Sequence, residues 1–154
     1  MKKNIIACLI MLMSFMALNA KDFNSAQLQL RSSINSFLRE EGFMPEYDSD
    51  GDIKFKKEGK TYYVIVSDVD TNPLYISISH LYSYDEVYTY AAVKNAVKEI
   101  NQYKGIKLKT YDSTYSFAAE MYLHSADQFR YTFYKYMKNI AYAEDELETI
   151  VKGK

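Results

Sequence analysis

Apolar and polar residues alternate between tight turns, and this pattern constrains the fold more than any other feature. Ile53 and Phe55 alternate with lysines, which is the pattern of a half-buried strand. The KEGK turn at 57–60 then places Gly59 where a hairpin needs a positive φ. Further strands are predicted at Phe43 to Tyr47, Thr61 to Ser67, around Leu74, Ile76 and Ile78, at Ile106 to Tyr111 and at Tyr115 to Leu123. Strands joined by such short turns pair antiparallel.

Three other segments repeat apolar residues at helical spacing, so each predicts an amphipathic helix. The helices are predicted from Ser25 to Glu41, from Asp85 to Lys104 and from Ser125 onwards. Each starts at a capping pattern, namely Asn24 with Gln27, Ser83 with Glu86, and Ser125 with Gln128. The order α-β-β-β-β-α-β-β-α predicts an α+β fold, with an antiparallel sheet of five to six strands covered on one face by three helices.

The first twenty residues predict a secretory signal peptide. Lys2 and Lys3 precede an uncharged apolar run from Ile5 to Leu18, and Ala20 is small enough for a signal peptidase site. The run is short for a membrane span, although an uncleaved anchor is the alternative. Residues 21–154 would then form one domain in the periplasm or outside the cell, with no stable membrane insertion after cleavage.

Cysteine content and charge exclude several functional classes. Cys8 is the single cysteine, and the apolar run continues past it, which argues against lipidation. The mature chain would therefore have no disulfide and no thiol nucleophile. Removing Lys2 and Lys3 takes the basic residues from 19 to 17, against 20 acidic residues. No cationic stripe is evident, so nucleic acid is not an expected partner.

Asp48, Asp50 and Asp52 alternate around Gly51 in a pattern that resembles a calcium loop. An EF-hand loop requires glycine at its sixth position and a bidentate Glu at its twelfth. Counted from Asp48, glycine is fourth, and Gly59 stands where the Glu should be. A turn between two strands is the favoured interpretation, with weak calcium binding as the alternative.

The sequence also offers few residues in the arrangements that catalysis requires. His80 and His124 are the two histidines, and neither has a second ligand at a metal spacing. No serine lies in a G-x-S-x-G elbow. Asp68 and Asp70 are interpreted either as half of a carboxylate pair or, more simply, as a solvated loop. We therefore predict no catalytic residues, no cofactor and no metal.

Tyrosine is abundant, with 16 Tyr, 8 Phe and no Trp. On the third helix the tyrosines predicted to lie off the core stripe, beside Lys135 and Lys138, are Tyr131, Tyr134 and Tyr142. Near the second helix the tyrosines are Tyr82, Tyr84, Tyr88 and Tyr90. Exposed aromatic residues are enriched in contact surfaces. The alternative is that these rings fill the margins of the core.

The stretch FLREEGFMPEYDSDGDIKFKKEGKTYYVIV is similar to the opening of the YbjN-like family of bacterial sensory transduction regulators. The similarity continues through NPLYISI and IKLKTYDSTYSFAAEMYL, covering roughly Leu28 to Leu147. The resemblance implies a fold like that of type III secretion chaperones, often homodimeric, which bind polypeptide partners. It transfers no catalytic residue.

Together these observations predict an exported, non-enzymatic domain that binds a protein or peptide, with a homodimer as the expected assembly. The alternative is a small-molecule binder or hydrolase with a pocket between the third helix and the sheet, holding His80 or His124 beside Asp68 or Asp112. A purely structural role in an envelope assembly is a third possibility.

Overall fold

A six-stranded antiparallel sheet with three helices forms the architecture of residues 21–153, the part of the chain that the computed structural model describes. The predicted fold class and element order are confirmed. The predicted signal peptide lies outside the described residues. The elements are α1 (Ser25–Glu40), β1 (Glu46–Tyr47), β2 (Ile53–Lys57), β3 (Lys60–Val66), β4 (Leu74–Ser83), α2 (Tyr90–Ile100), β5 (Ile106–Thr110), β6 (Thr114–Leu123) and α3 (Ala126–Lys152).

The strands lie in the order β1-β2-β3-β4-β6-β5. At the centre, the ten residues of β4 pair with the ten of β6 in the register Ile78 to Ala119. Helix α2 connects β4 to β5, and β5 then forms a hairpin with β6. No helix among residues 21–153 is both long enough and apolar enough to cross a membrane.

The core lies between the helices and one face of the sheet. The strand alternation directs Phe55 and Phe117 to this face, where they are almost fully buried. From α3, Phe129 and Phe133 meet the ring of Phe37 of α1 edge-on, with centroids 5.6 and 5.4 Å apart. Such edge-to-face aromatic packing adds stabilisation beyond the buried area alone.

The capping box of α1 is present as predicted. Asn24 Oδ1 accepts the Gln27 N–H at 3.0 Å, and Gln27 Oε1 accepts the Asn24 N–H at 2.7 Å. The Gln27 Nε2 also donates to the carbonyl oxygens of Ser67 and Asp70. A single buried amide therefore caps α1 and fastens the loop between β3 and β4 to it.

The second helix is shorter than predicted, and its predicted capping box is wrong. Ser83 belongs to β4, where it pairs with Thr114, so it cannot cap a helix. Asp85 instead accepts the N–H groups of Val87 and Tyr88 in a turn. Helix α2 begins after Thr89, whose hydroxyl accepts the Ala92 N–H at 3.2 Å.

Two smaller predictions also differ from the structure. Ser125 precedes α3 but makes no side-chain capping bond, while Gln128 accepts the His124 N–H. The first strand covers only Glu46–Tyr47, because the Phe43 ring turns towards Phe55 and joins the core.

Candidate functional site

The alternating acids at the β1–β2 connection form a turn. Asp48 Oδ1 accepts the N–H groups of Asp50 at 3.0 Å and Asp52 at 2.8 Å. Gly51 has a φ of 80°, and its carbonyl accepts a hydrogen bond from Arg31 of α1. Side-chain bonding to the backbone and a positive φ are the features that the turn interpretation requires.

Asp52 is the buried member of this turn. Lys21 Nζ lies 2.6 Å from its Oδ1. Burial raises the pKa of the Asp52 carboxyl, and the charges of Asp48 and Asp50 raise it further, while Lys21 opposes them. No cluster of three or more His, Cys, Asp or Glu within residues 21–153 has the arrangement of a metal site.

A buried charged network lies on the opposite, helix-covered side of the sheet. His80 of β4 and Glu144 of α3 are each about nine-tenths buried, and His80 Nδ1 lies 2.9 Å from Glu144 Oε1. Lys60 Nζ lies 2.5 Å from the other carboxylate oxygen. The His80 ring packs between Tyr62 and Tyr82, with centroids 4.9 and 4.1 Å away.

Hydrogen bonding decides the charge state of this network. Burial alone would raise the pKa of Glu144, but hydrogen bonds from His80, Lys60 and Tyr82 outweigh it and lower that pKa. Burial, reinforced by the Glu144 charge, raises the pKa of Tyr62 to about 12 and that of Tyr82 further. Glu144 is therefore an anion and the phenols stay neutral near pH 7.

A cavity of about 270 Å³ adjoins this network between α3 and the sheet. Its aromatic wall consists of Tyr82, Tyr88, Tyr115 and Phe117. Its charged lining consists of Asp85, Glu144, Asp145, Glu148 and Lys60. The alternative function predicted from the sequence, a small-molecule binder or hydrolase, also requires a pocket between this helix and the sheet. Its predicted acidic residue was Asp68 or Asp112, whereas the acidic residue beside His80 is Glu144.

The tyrosines around α2 converge on one ring. Tyr82 stacks on Tyr115 with centroids 5.1 Å apart, and Tyr84 lies 5.4 Å from the same ring. Tyr88 stacks at 6.5 Å. These three tyrosines are half-buried, whereas Tyr90 is exposed. Tyr82 and Tyr88 therefore wall the cavity, and Tyr84 packs against Tyr115. The interpretation as a core margin fits all three.

The tyrosines of α3 behave differently. Tyr131 is 87% exposed, and Tyr134 and Tyr142 are about half exposed. Tyr134 donates to Glu41, and Tyr142 packs edge-on against Tyr103. They lie off the buried stripe as predicted, at separate points along the helix.

The remaining candidates occupy local structural positions. His124 is exposed, and its backbone N–H donates a hydrogen bond to the side-chain oxygen of Gln128. Asp70 accepts the Ser67 hydroxyl at 2.7 Å, and Asp68 is exposed in the same loop. Asp112 is exposed in the β5–β6 turn. The acidic partner of His80 is thus Glu144 rather than Asp68 or Asp112.

Glu144 and Lys60 were missed by the sequence interpretation, although one signal was available. Glu144 lies four residues after Ile140 and three before Leu147, on the buried stripe of α3. A carboxylate at such a position needs a partner, since charges are almost never buried alone. The partners come from β3 and β4, which sequence spacing does not relate to α3.

The second face of the sheet carries no packed helix within residues 21–153. Its centre carries the small residues Ser77, Ser79, Ser116 and Ala118. Beside them Glu120 pairs with Ser77 in the sheet and accepts the Lys109 ammonium at 2.5 Å. Larger residues surround this centre on the same face, namely Tyr63, Ile65, Leu81, Tyr75 and Tyr122. Ala118 is buried but stands outside the main core cluster. We call this surface the uncovered face.

A groove of about 340 Å³ runs over part of the uncovered face. Tyr63, Ile65, Ser79 and Leu81 line it on the strands. The acidic turn at 48–52 borders it. The groove therefore joins an apolar floor to a negative rim.

Comparison with known proteins adds evidence about the fold alone. No protein-family model matches this sequence, and no curated protein matches it with significance. A crystal structure of an uncharacterized protein from Methanothermobacter thermautotrophicus is similar, with a TM-score of 0.54 and 14% identity. The similarity covers 80% of this chain and 97% of that one.

Proposed function

We propose that this protein is an exported, non-enzymatic binding domain, and that a second copy of the chain occupies its uncovered face. The observation that carries the proposal is a sheet face with large apolar residues on β3 and small residues on the adjacent β4. The resemblance to the YbjN-like family stays a prediction and is not needed for this argument.

Shape complementarity supports pairing of two uncovered faces. A twofold axis parallel to the strands, between β3 and β4, would place β3 of one copy over β4 of the other, because each is third from an edge. Tyr63 pairs with Ser79 and Ile65 with Ser77, so each pair shares one level along the strands. The same axis therefore sets Tyr63 over the partner's small Ser79, and Ile65 over Ser77.

Charge complementarity supports the same arrangement. The axis places β1 of one copy, with Glu46, over β5 of the other. Strand β5 presents Lys107 and Lys109 on the uncovered face, since these residues pair with Ala118 and Ser116. Through the strand pairing, Glu46 and Lys107 share the level of Tyr63 and Ser79, so the axis sets Glu46 over the partner's Lys107, and symmetry forms the contact twice. Lys109 is already paired with Glu120 of the same copy, at 2.5 Å.

The size of the face is adequate. Six strands span about 24 Å, and a ten-residue strand extends about 33 Å, at usual strand spacings. Only β4 and β6 have that length, and the other strands have two to seven residues, so the face offers most of the roughly 800 Å² that each partner buries in a standard interface. Aligned sheets pack face to face about 10 Å apart, a distance that side chains such as Tyr63 can fill.

The charged network favours binding over bond-making. Both oxygens of Glu144 are engaged, by His80 and by Lys60. The ring contacts of His80 are with Tyr62 and Tyr82, whose phenols stay protonated. A hydrolytic dyad needs a nucleophile beside the base, and the contacts of His80 with Glu144, Tyr62 and Tyr82 supply none.

Sedimentation equilibrium of the purified protein tests the proposal. We expect a mass twice that of the chain, and Ile65→Lys should weaken the dimer at least about tenfold because it places an ammonium in the interface. The matched control is Leu28→Lys, which adds the same charge at a half-exposed position on α1.

Circular dichroism should show that both variants keep the fold, since Ile65 lies outside the core cluster. A parent protein that sediments as a monomer would contradict the proposal. Equal weakening by Leu28→Lys would do so too.

A further inference from the structure

The cavity between α3 and the sheet combines an aromatic wall with carboxylates. Tyr82, Tyr88, Tyr115 and Phe117 supply the aromatic rings of this wall. Aromatic faces attract cations through their negative quadrupole, most strongly where water is excluded. An aromatic wall alone would also accept an apolar group, so the charge of the lining decides between ligands.

That charge is negative. Four carboxylates line the cavity against one lysine. Glu144 is held as an anion by its three hydrogen-bond donors, and Asp145 is exposed one residue further along α3. An anionic ligand would be repelled here, whereas a cation would be attracted.

The chain already places one of its own cations against this lining. Lys152 Nζ, in the last turn of α3, lies 2.6 Å from Glu148 and 5.9 Å from the ring centroid of Tyr88. Its pKa is raised, chiefly by the Glu148 hydrogen bond. An alkylammonium therefore fits between this carboxylate and this ring.

The volume sets the size of the ligand. Small-molecule sites usually measure about 300–1,000 Å³. At about 270 Å³ the cavity lies just below that range, so it suits one side chain better than a cofactor.

We propose that this cavity binds a single alkylammonium group, as presented by a lysine side chain of a partner polypeptide. The ligand ammonium would lie between Glu148 and Tyr88, displacing Lys152, with its alkyl chain against Tyr82 and Tyr115. This inference rests on the proposed binding role but uses the helix-covered side of the sheet, opposite the uncovered face.

Titration followed by NMR of ¹³C-labelled tyrosine rings tests the inference on the intact protein. The probe is Nα-acetyl-lysine amide, and its uncharged control is Nα-acetyl-norleucine amide. We expect the lysine probe to shift the Tyr82, Tyr88 and Tyr115 resonances saturably, and the norleucine probe to leave them in place. n-Butylammonium is the third probe, because it separates a free amine from a residue within a polypeptide. Weaker binding of n-butylammonium than of the lysine probe supports the polypeptide source.

Two variants are expected to change the affinity for the lysine probe in opposite directions, which separates an effect on binding from damage to the fold. Glu148→Gln should weaken binding of the lysine probe about three- to fivefold, through loss of the charge partner. Lys152→Met should strengthen it by a similar factor, because the competing ammonium is gone. Glu40→Gln removes an equivalent charge near Arg130, outside the cavity, and should change nothing.

Equal shifts with the lysine and norleucine probes would overturn the inference, as would tighter or equal binding of n-butylammonium. An unchanged affinity in Lys152→Met would also count against it. The readout is independent of the dimer mass, so failure here leaves the proposed pairing of the uncovered faces standing, and failure of the dimer leaves this titration interpretable.

Discussion

At the residue scale, Glu144 shows how a charge is accommodated on the buried stripe of a helix. Its carboxylate would be costly there without partners. His80, Lys60 and Tyr82 each hydrogen-bond to it, and together they lower its pKa despite the burial. The residue therefore ties α3 to β3 and β4 through directional contacts, in addition to the apolar packing of its neighbours.

Replacing Glu144 should reduce stability in a pH-dependent way. Glu144→Gln keeps the shape but loses the charge, so we expect the unfolding free energy to fall by about 1–3 kcal/mol at pH 7. Because the folded pKa is lowered, the contribution of Glu144 is present above its unfolded value and disappears as pH falls through the folded one. The difference between parent and variant should therefore shrink towards pH 3.

Urea denaturation at pH 7 and pH 3 measures this difference. Glu86→Gln, in the exposed loop before α2, is the control. A gap between parent and Glu144→Gln that stays constant over this range would show that the charge is unimportant.

At the scale of elements, β4 and α2 share a boundary that local patterns place incorrectly. Ser83 and Glu86 match a capping box, yet ten residues of β4 pair with β6 and extend through Ser83. The pairing of β4 with β6 is more stable than a helix start at Ser83, because each added residue pair satisfies backbone hydrogen-bonding groups and packs side chains on both strands. Helix α2 consequently starts at Tyr90.

Capping variants of α2 test this boundary. Thr89→Ala should lower the unfolding free energy by about 1 kcal/mol, since it removes the acceptor for the Ala92 N–H. Glu86→Ala should stay within about 0.5 kcal/mol of the parent, as expected for a surface position. Urea unfolding measures the unfolding free energy of both variants. A larger loss in Glu86→Ala than in Thr89→Ala would instead support a capping box at Ser83.

At the scale of the whole molecule, the two sides of the sheet have different chemistry. The helix-covered side holds the core, the charged network and the aromatic cavity. The uncovered face holds small central residues beside the ion pair of Glu120 and Lys109, and the acidic turn borders it. A dimer through that face would leave both cavities open on its outer sides.

Charge reversal across the proposed interface tests the twofold arrangement. Lys107→Glu should weaken the dimer about three- to tenfold, because each change acts twice, and adding Glu46→Lys should restore it. Lys104→Glu, on an exposed residue outside the strands, is the control. Sedimentation equilibrium at low salt measures the dissociation constants, and failure of the second change to rescue the first would exclude this orientation.

Much of the fold followed from local patterns. Ile53 and Phe55, alternating with lysines, fixed one strand and its buried face, and Gly59 fixed the turn after it. Asn24 and Gln27 fixed the start of α1. Such features need only neighbouring residues, so the alternation and capping signals suffice.

Local patterns thus specify the element order, the α+β class, the nature of the acidic turn and most of the buried stripes, because each of these depends on residues close along the chain. The packing of distant elements instead decided that Glu144 contacts His80 and Lys60, and that three tyrosine rings and one phenylalanine ring line a cavity beside them. It also decided that one sheet face is left with small residues at its centre. These features join residues from distant strands and helices, and their contacts are set by strand order and helix packing rather than by spacing in the sequence.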